Sequence, residues 1–173
     1  YEGLIAVDPE TLGDLPWLAT DWKVETVDGE GGPHTRLTFT LREGVRWQDG
    51  IPFTSRDVRK TLEFLKEHEI PRYYDNVRDI ERIDTPDDHT VIVTMGNVSY
   101  WHLHNIGGSP VFPAHILETV KDWESWQPAR ETNPSVKELT SLVGTGPFVF
   151  REYRPGEFVH LVRNEGFWLL GGD

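Results

Sequence analysis

Leu37-Thr38-Phe39-Thr40-Leu41-Arg42-Glu43-Gly44-Val45-Arg46-Trp47-Gln48-Asp49-Gly50, followed by Pro52-Phe53-Thr54-Ser55-Arg56-Asp57-Val58, holds a strand, two turns and a helix start. In residues 35–42, Leu37, Phe39 and Leu41 fall on one side and Thr38, Thr40 and Arg42 on the other. That period of two is what a half-buried strand requires. Glu43-Gly44 turns the chain, residues 45–47 extend it, and Gln48-Asp49-Gly50 turns it again. Thr54 has capping-box spacing to Asp57, with Asp in place of the usual Glu. Its hydroxyl can accept from the Asp57 amide, and an early carboxylate suits the positive end of the helix dipole. Val58, Thr61, Leu62 and Leu65 then form an apolar stripe that carries the helix to about His68.

Outward from this stretch the chain repeats one device, short apolar runs separated by Gly and Pro. Residues 1–16 read as a loop-rich entry, since Asp8-Pro9 and Leu15-Pro16 disfavour a helix. Trp22 and Val24 alternate with polar residues, so 20–27 and 35–42 are expected to form a hairpin closed by Asp28-Gly29-Glu30-Gly31-Gly32-Pro33. A second hairpin is expected from residues 77–84 and 89–95, turning at Thr85-Pro86-Asp87-Asp88, and a third from 148–153 and 158–163 about Arg154-Pro155-Gly156-Glu157. Residues 98–106 suit a short helix that Gly107-Gly108-Ser109-Pro110 breaks, and Pro113 suits the first turn of a helix to about Lys121. Residues 122–142 are polar and suit short helical turns around Trp123 and Trp126. The sum is an α+β fold of antiparallel hairpins with three to four helices.

Composition narrows the function. The 173 residues carry 17 basic and 29 acidic groups, a formal charge of −12 and a pI near 4.9. Such a polyanion is a poor ligand for nucleic acid or an anionic membrane surface, which both need Lys and Arg. The chain has no Cys, which excludes disulfides, thiol catalysis and Cys-ligated zinc. It opens on Tyr1-Glu2-Gly3-Leu4 with no initiator Met, which reads as a mature or excised piece. Seven Trp, five Tyr and eight Phe are enough to furnish both a core and a ligand-stacking surface.

Several constellations invite chemistry, and each has a plainer reading. His102 and His104 could share a metal on a strand, but no third ligand is spaced to join them, so they read as surface histidines. Gly144-Thr145-Gly146-Pro147 resembles a phosphate loop, yet Pro147 removes a donor and no Lys follows; it reads as a rigid turn. Asp87-Asp88-His89 lies at a hairpin apex, where Asp serves turn geometry and solvent defeats pKa tuning. No Gly-x-Ser-x-Gly or His-Glu-x-x-His motif is present, so no catalytic residue and no resident metal or cofactor is assigned. Of the aromatic pairs, Tyr73-Tyr74 stands out, because it follows Pro71 in a loop between elements, where binding residues concentrate. The Trp content and the 29 carboxylates leave an alternative open, a carbohydrate-binding module or a glycoside-active enzyme.

Taken in order, further blocks carry a resemblance. Tyr1-Glu2-Gly3-Leu4, then 16–22 as Pro-Trp-Leu-Ala-Thr-Asp-Trp, the stretch from Leu37 to Val58, Pro113-Ala114-His115-Ile116, 144–148 as Gly-Thr-Gly-Pro-Phe and 163–168 as Arg-Asn-Glu-Gly-Phe-Trp follow one another. Together they resemble the extracellular solute-binding proteins of family 5, the peptide and nickel-chelate binding components of ABC importers. The resemblance implies a two-lobed, periplasmic-binding-protein type II-like architecture. It implies a protein that is not an enzyme, sits in the periplasm or is tethered as a lipoprotein on the outer face of the membrane, closes on a peptide or other small solute, and delivers it to an ABC permease. Residues 1–143 would be the small subdomain of the first lobe. Residues 144–173 would be strands returning, truncated, to that lobe's main part, and their exposed edges make self-association of the fragment an expectation. The family's Gly after Asn-x-x-Tyr-Trp is replaced here by Leu169-Leu170, so Gly171-Gly172-Asp173 would be a remnant or tail. The resemblance makes Tyr73 and Tyr74 candidate ligand-binding residues, with Ser109 and Trp101 beside them. Relatives that bind metal chelates place an Arg where this chain has Gly107-Gly108-Ser109-Pro110-Val111-Phe112, and its absence points to peptide or another solute as cargo.

Overall fold

The capping box at Thr54 forms as its spacing predicts. In the computed structural model, which describes residues 1–171, the Thr54 side chain accepts from the Asp57 amide and the Thr54 N–H donates to Asp57 Oδ2 at 2.8 Å. Helix α1, Ser55–Glu67, follows, with Val58, Thr61, Leu62 and Leu65 all buried. The chain divides into two compact units: one of Glu2–Glu43 and Thr54–Val111, the other of Tyr1, Gly44–Phe53 and Phe112–Asp173.

The first unit is built on one antiparallel sheet. Strands β1 (Ile5–Val7) and β2 (Asp14–Pro16) form a small ribbon of their own. The sheet proper has β3 (Ala19–Gly29), β4 (Gly32–Leu41), β5 (Ile80–Asp87) and β6 (Thr90–Met95), in the order β3-β4-β6-β5. The β3–β4 hairpin closes at Gly29↔Gly32, where Gly31 has φ 87°, a backbone angle that favours glycine. Leu37 and Phe39 are fully buried, as are Val91, Val93 and Met95 on the neighbouring strand. Alternation in the sequence therefore marks the buried face correctly. Helices α2 (Tyr74–Val77) and α3 (His102–Gly107) complete this unit.

The second unit has little regular structure. Trp47 and Phe53 pack edge to face at 6.0 Å between ring centres, and Ile116, Leu117 and Val143 are buried in the same unit. Helix α4 spans Ala114–Leu117, and a ribbon of β7 (Phe148–Arg154) and β8 (Phe158–Arg163) closes about Gly156, at φ 77°. Gln48 holds the loop before this ribbon. Its amide accepts from Gly144 N–H at 3.0 Å and donates to the carbonyls of Gly146 and Phe148 at 3.2 and 2.8 Å.

Several expectations need correction. Residues 1–16 are not merely loop, because β1 and β2 pair there. Each is three residues long, too short to show a period, and Asp8 Oδ1 accepts the Glu10 and Thr11 amides to turn the chain between them. Val77 ends helix α2 and does not begin a strand. The second hairpin turns more tightly than expected, at residues 88–89, and takes Thr85 and Pro86 into β5 through a register break between Asp84 and Asp87. The helix after Pro113 stops at Leu117 rather than near Lys121, where Thr119 Oγ1 donates to the Ile116 carbonyl. The tail at Gly171-Gly172-Asp173 lies, past Gly171, outside the described residues.

Candidate functional site

All four candidate ligand residues lie in the first unit. Tyr73 and Tyr74 are not in an open loop: both amides donate to the Ile70 carbonyl at 2.8 Å, and Tyr74 opens α2. Both rings are half-buried, and the Arg72 guanidinium lies 5.6 Å from the centre of the Tyr73 ring. Val77, fully buried, anchors the helix. Asn76 Nδ2 then donates to Ser109 Oγ at 3.5 Å, and Ser109 Oγ donates to the Asn105 carbonyl at 2.6 Å. Ser109 is buried and thus braces α2 against the end of α3. Trp101 precedes the other end of α3, a helix length of about 9 Å away. It is 63% exposed and forms a cluster with Tyr100 and His104, its ring centre 5.4 and 6.2 Å from theirs. The structure therefore joins Tyr73, Tyr74 and Ser109 through Asn76, which the sequence reading missed, and sets Trp101 apart.

The constellations set aside above have structural employment. The Gly144 amide is spent on Gln48, and Asn164 Nδ2 donates to the Gly146 carbonyl at 2.8 Å. Asp87 Oδ1 accepts the His89 amide at 2.8 Å, which holds its carboxyl below the usual range and closes the turn. His102 is no surface histidine: it is buried, with Nε2 2.7 Å from Asn97 Oδ1, while His104 Nδ1 lies 3.4 Å from Asp14. Among the described residues no group of three His, Asp or Glu could hold a metal ion. Nor is any helix there long and apolar enough to cross a membrane. Of the seven Trp, only Trp101 is exposed, so the exposed planar Trp row that a carbohydrate module needs is not formed.

The sequence reading also missed a polar cluster in the second unit. Asp49 Oδ2 accepts from His115 Nε2 at 2.7 Å and from Asn133 Nδ2 at 2.8 Å, with no exposed surface on the Asp49 side chain. Burial alone would raise this carboxyl, but the hydrogen bonds from His115 and Asn133 and the charge of His115 hold it below the usual range. Asp49 and His115 both sit in blocks quoted above, yet 66 residues separate them, and no local periodicity could pair them.

Two of these groups make stability acid-sensitive with the same sign. Burial depresses the His102 pKa, with the Asp79 charge partly opposing, so the fold holds a neutral imidazole. Its contribution is complete above the unfolded value of about 6.5 and is lost as pH falls through the lower folded value. Asp49, also depressed, contributes above about pH 4 and loses its share as pH falls below that. The urea midpoint should therefore fall from pH 7 to 5, and His102→Gln should flatten that slope while leaving the loss below pH 4 intact.

Comparison with known proteins places this arrangement. The chain is 28% identical over 192 residues to the peptide transport periplasmic protein SapA of Salmonella typhimurium, covering 97% of this chain and 32% of that protein. Among solved structures, NikZ from Campylobacter jejuni in complex with Ni(L-His) superposes with a TM-score of 0.76 at 27% identity, covering 98% of this chain and 31% of that one. A mannohexaose-bound periplasmic oligopeptide-binding protein from Thermotoga maritima gives 0.71 at 26% identity, covering 99% and 29%. The chain thus spans about a third of the length of the proteins it matches. A sequence model of the bacterial extracellular solute-binding proteins, family 5 middle, matches residues 15–173, and the chain belongs to that family.

Proposed function

We propose that this chain is part of the first lobe of the substrate-binding component of an ABC importer, acting in the periplasm or at the outer face of the membrane. The reading rests on one observation: the family match over residues 15–173, in a chain about a third as long as SapA. Residues 1–143 serve as that lobe's small subdomain, and residues 144–173 return toward its main part. The exposure of the β7–β8 ribbon supports this second point, since Phe148, Phe158, Val159 and Leu161 are each more than two-fifths exposed. A bare two-stranded ribbon is marginal in water and gains stability from further strands.

The cargo is a peptide or related small solute, enclosed without covalent chemistry and handed to the permease. The braced pair of Tyr73 and Tyr74 forms one wall of the cleft, with Ser109 as the brace and Trp101 toward its rim. Half-buried aromatic rings on a fixed helix suit this work, because they give contact area at little cost in side-chain entropy. Closure needs rigid walls and a hinge rather than reactive groups.

In the complete binding protein, Tyr73→Ala and Tyr74→Ala should each weaken solute binding about tenfold or more, with the unfolding midpoint nearly unchanged. Calorimetry against a peptide library, Ni(L-His) and mannohexaose would identify the cargo class and measure the loss. Unchanged affinity in both variants would remove these residues from the site. Substrate turnover, or failure to bind any solute, would refute the transport reading.

A further inference from the structure

The two outer strands of the four-stranded sheet are finished differently. On β5, the Lys66 ammonium donates to the Ile80 carbonyl, the register breaks twice, and Pro86 lacks an N–H. These devices close an edge to further pairing. β3 has none of them beyond its start. After an irregularity between Ala19 and Asp21 it keeps unbroken register with β4 to Gly29 and contains no Pro.

The free backbone groups of β3 can be assigned. Thr35 N–H donates to the Asn97 carbonyl and Leu41 N–H to that of His89, both toward the β6 side. The even residues of β4 therefore bond to β3, and the register sets Thr40, Thr38 and Arg36 opposite Asp21, Lys23 and Glu25. By alternation, the N–H and C=O groups of Trp22, Val24 and Thr26 point outward. Among the described residues, the one backbone bond on that outer side is Ala19 N–H to the Leu4 carbonyl, at the strand's start. Trp22 and Val24 also lie opposite the buried Phe39 and Leu37, on the apolar face of the sheet, yet Val24 is 51% exposed. The apolar face runs on to an open edge.

We propose that this edge pairs with β3 of a second copy, antiparallel about a two-fold axis through Val24. That register sets Val24 against its own copy, Trp22 against Thr26, and Lys23 against Glu25 on both sides of the axis. The strand is its own charge complement, which selects a second copy over an unrelated strand, and opposed charges in directly facing positions stabilise the pair. Lys23 and Glu25, now paired within the chain at 2.8 Å, exchange that contact for two across the interface.

Sedimentation velocity on the 173-residue chain at about 0.15 M salt, where the net charge is screened beyond about 8 Å, tests the pairing. The wild-type chain should show a concentration-dependent dimer. Lys23→Glu and Glu25→Lys each set like charges face to face and should weaken it at least tenfold, with unchanged circular dichroism. An equimolar mixture of the two variants restores both opposed pairs and should recover the dimer. A wild-type monomer at every concentration would overturn the proposal. So would a dimer indifferent to both variants, as association through the β7–β8 ribbon would be, or a mixture that stays monomeric.

Discussion

Phe39→Ala should destabilise the protein by about 3–5 kcal/mol, among the largest costs of any single truncation here. The ring is fully buried at the middle of β4, between Val91 on β6 and Trp22 on β3 in the sheet register, and α1 packs its stripe of Val58, Leu62 and Leu65 into the same core. Removing it deletes the transfer energy of a phenyl ring and leaves a void that strands paired on both sides cannot collapse to fill. Urea unfolding followed by far-UV circular dichroism measures the loss. A cost below about 1 kcal/mol, the range of surface substitutions, would place that face in solvent. The neighbouring Thr38→Ala, on the opposite face of the strand, should fall within that smaller range and serves as the control.

Asp49→Ala should cost about 2–4 kcal/mol, for a different reason. The carboxylate is the common acceptor for His115 and Asn133, and Asn133 is itself buried, its Oδ1 already capping the amides of Ser135 and Val136. Truncation leaves two donors facing each other with nothing between them, and each unsatisfied buried group carries a penalty of about 1–3 kcal/mol. A double-mutant cycle with His115→Ala separates this from simple loss of volume. The coupling should be about 1–2 kcal/mol, and additive effects would show that the two groups do not act together.

These two residues mark how far the sequence can be read. Phe39 is legible because the alternation Leu37-Phe39-Leu41 is a local signal with one geometric solution, and the capping box at Thr54 is legible for the same reason. The three hairpins follow from turn chemistry, although Pro86, whose residue type suits a turn, is carried in β5 by a register break at a sheet edge. Asp49 reads locally only as a turn residue, because its partners arrive from distant segments. Ser109 lies in the stretch where chelate-binding relatives carry an Arg, and its hydroxyl is committed to a brace that depends on Asn76, a residue with no pattern to announce it. Tyr73 and Tyr74 are legible from their place after Pro71, and the family resemblance points to the same pair, but their half-burial on a fixed helix is a fact only coordinates supply.

Gln48 also bears on how the chain is made. Its amide awaits carbonyl and N–H groups 96 to 100 positions downstream. On a ribosome adding about 5–20 residues per second, that interval is about 5–20 s. For much of it Trp47 and Phe53, destined for the interior, are already made while the partners farther along are still untranslated. The nascent segment is then a natural client for a chaperone that covers exposed aromatic side chains until Phe148 has appeared.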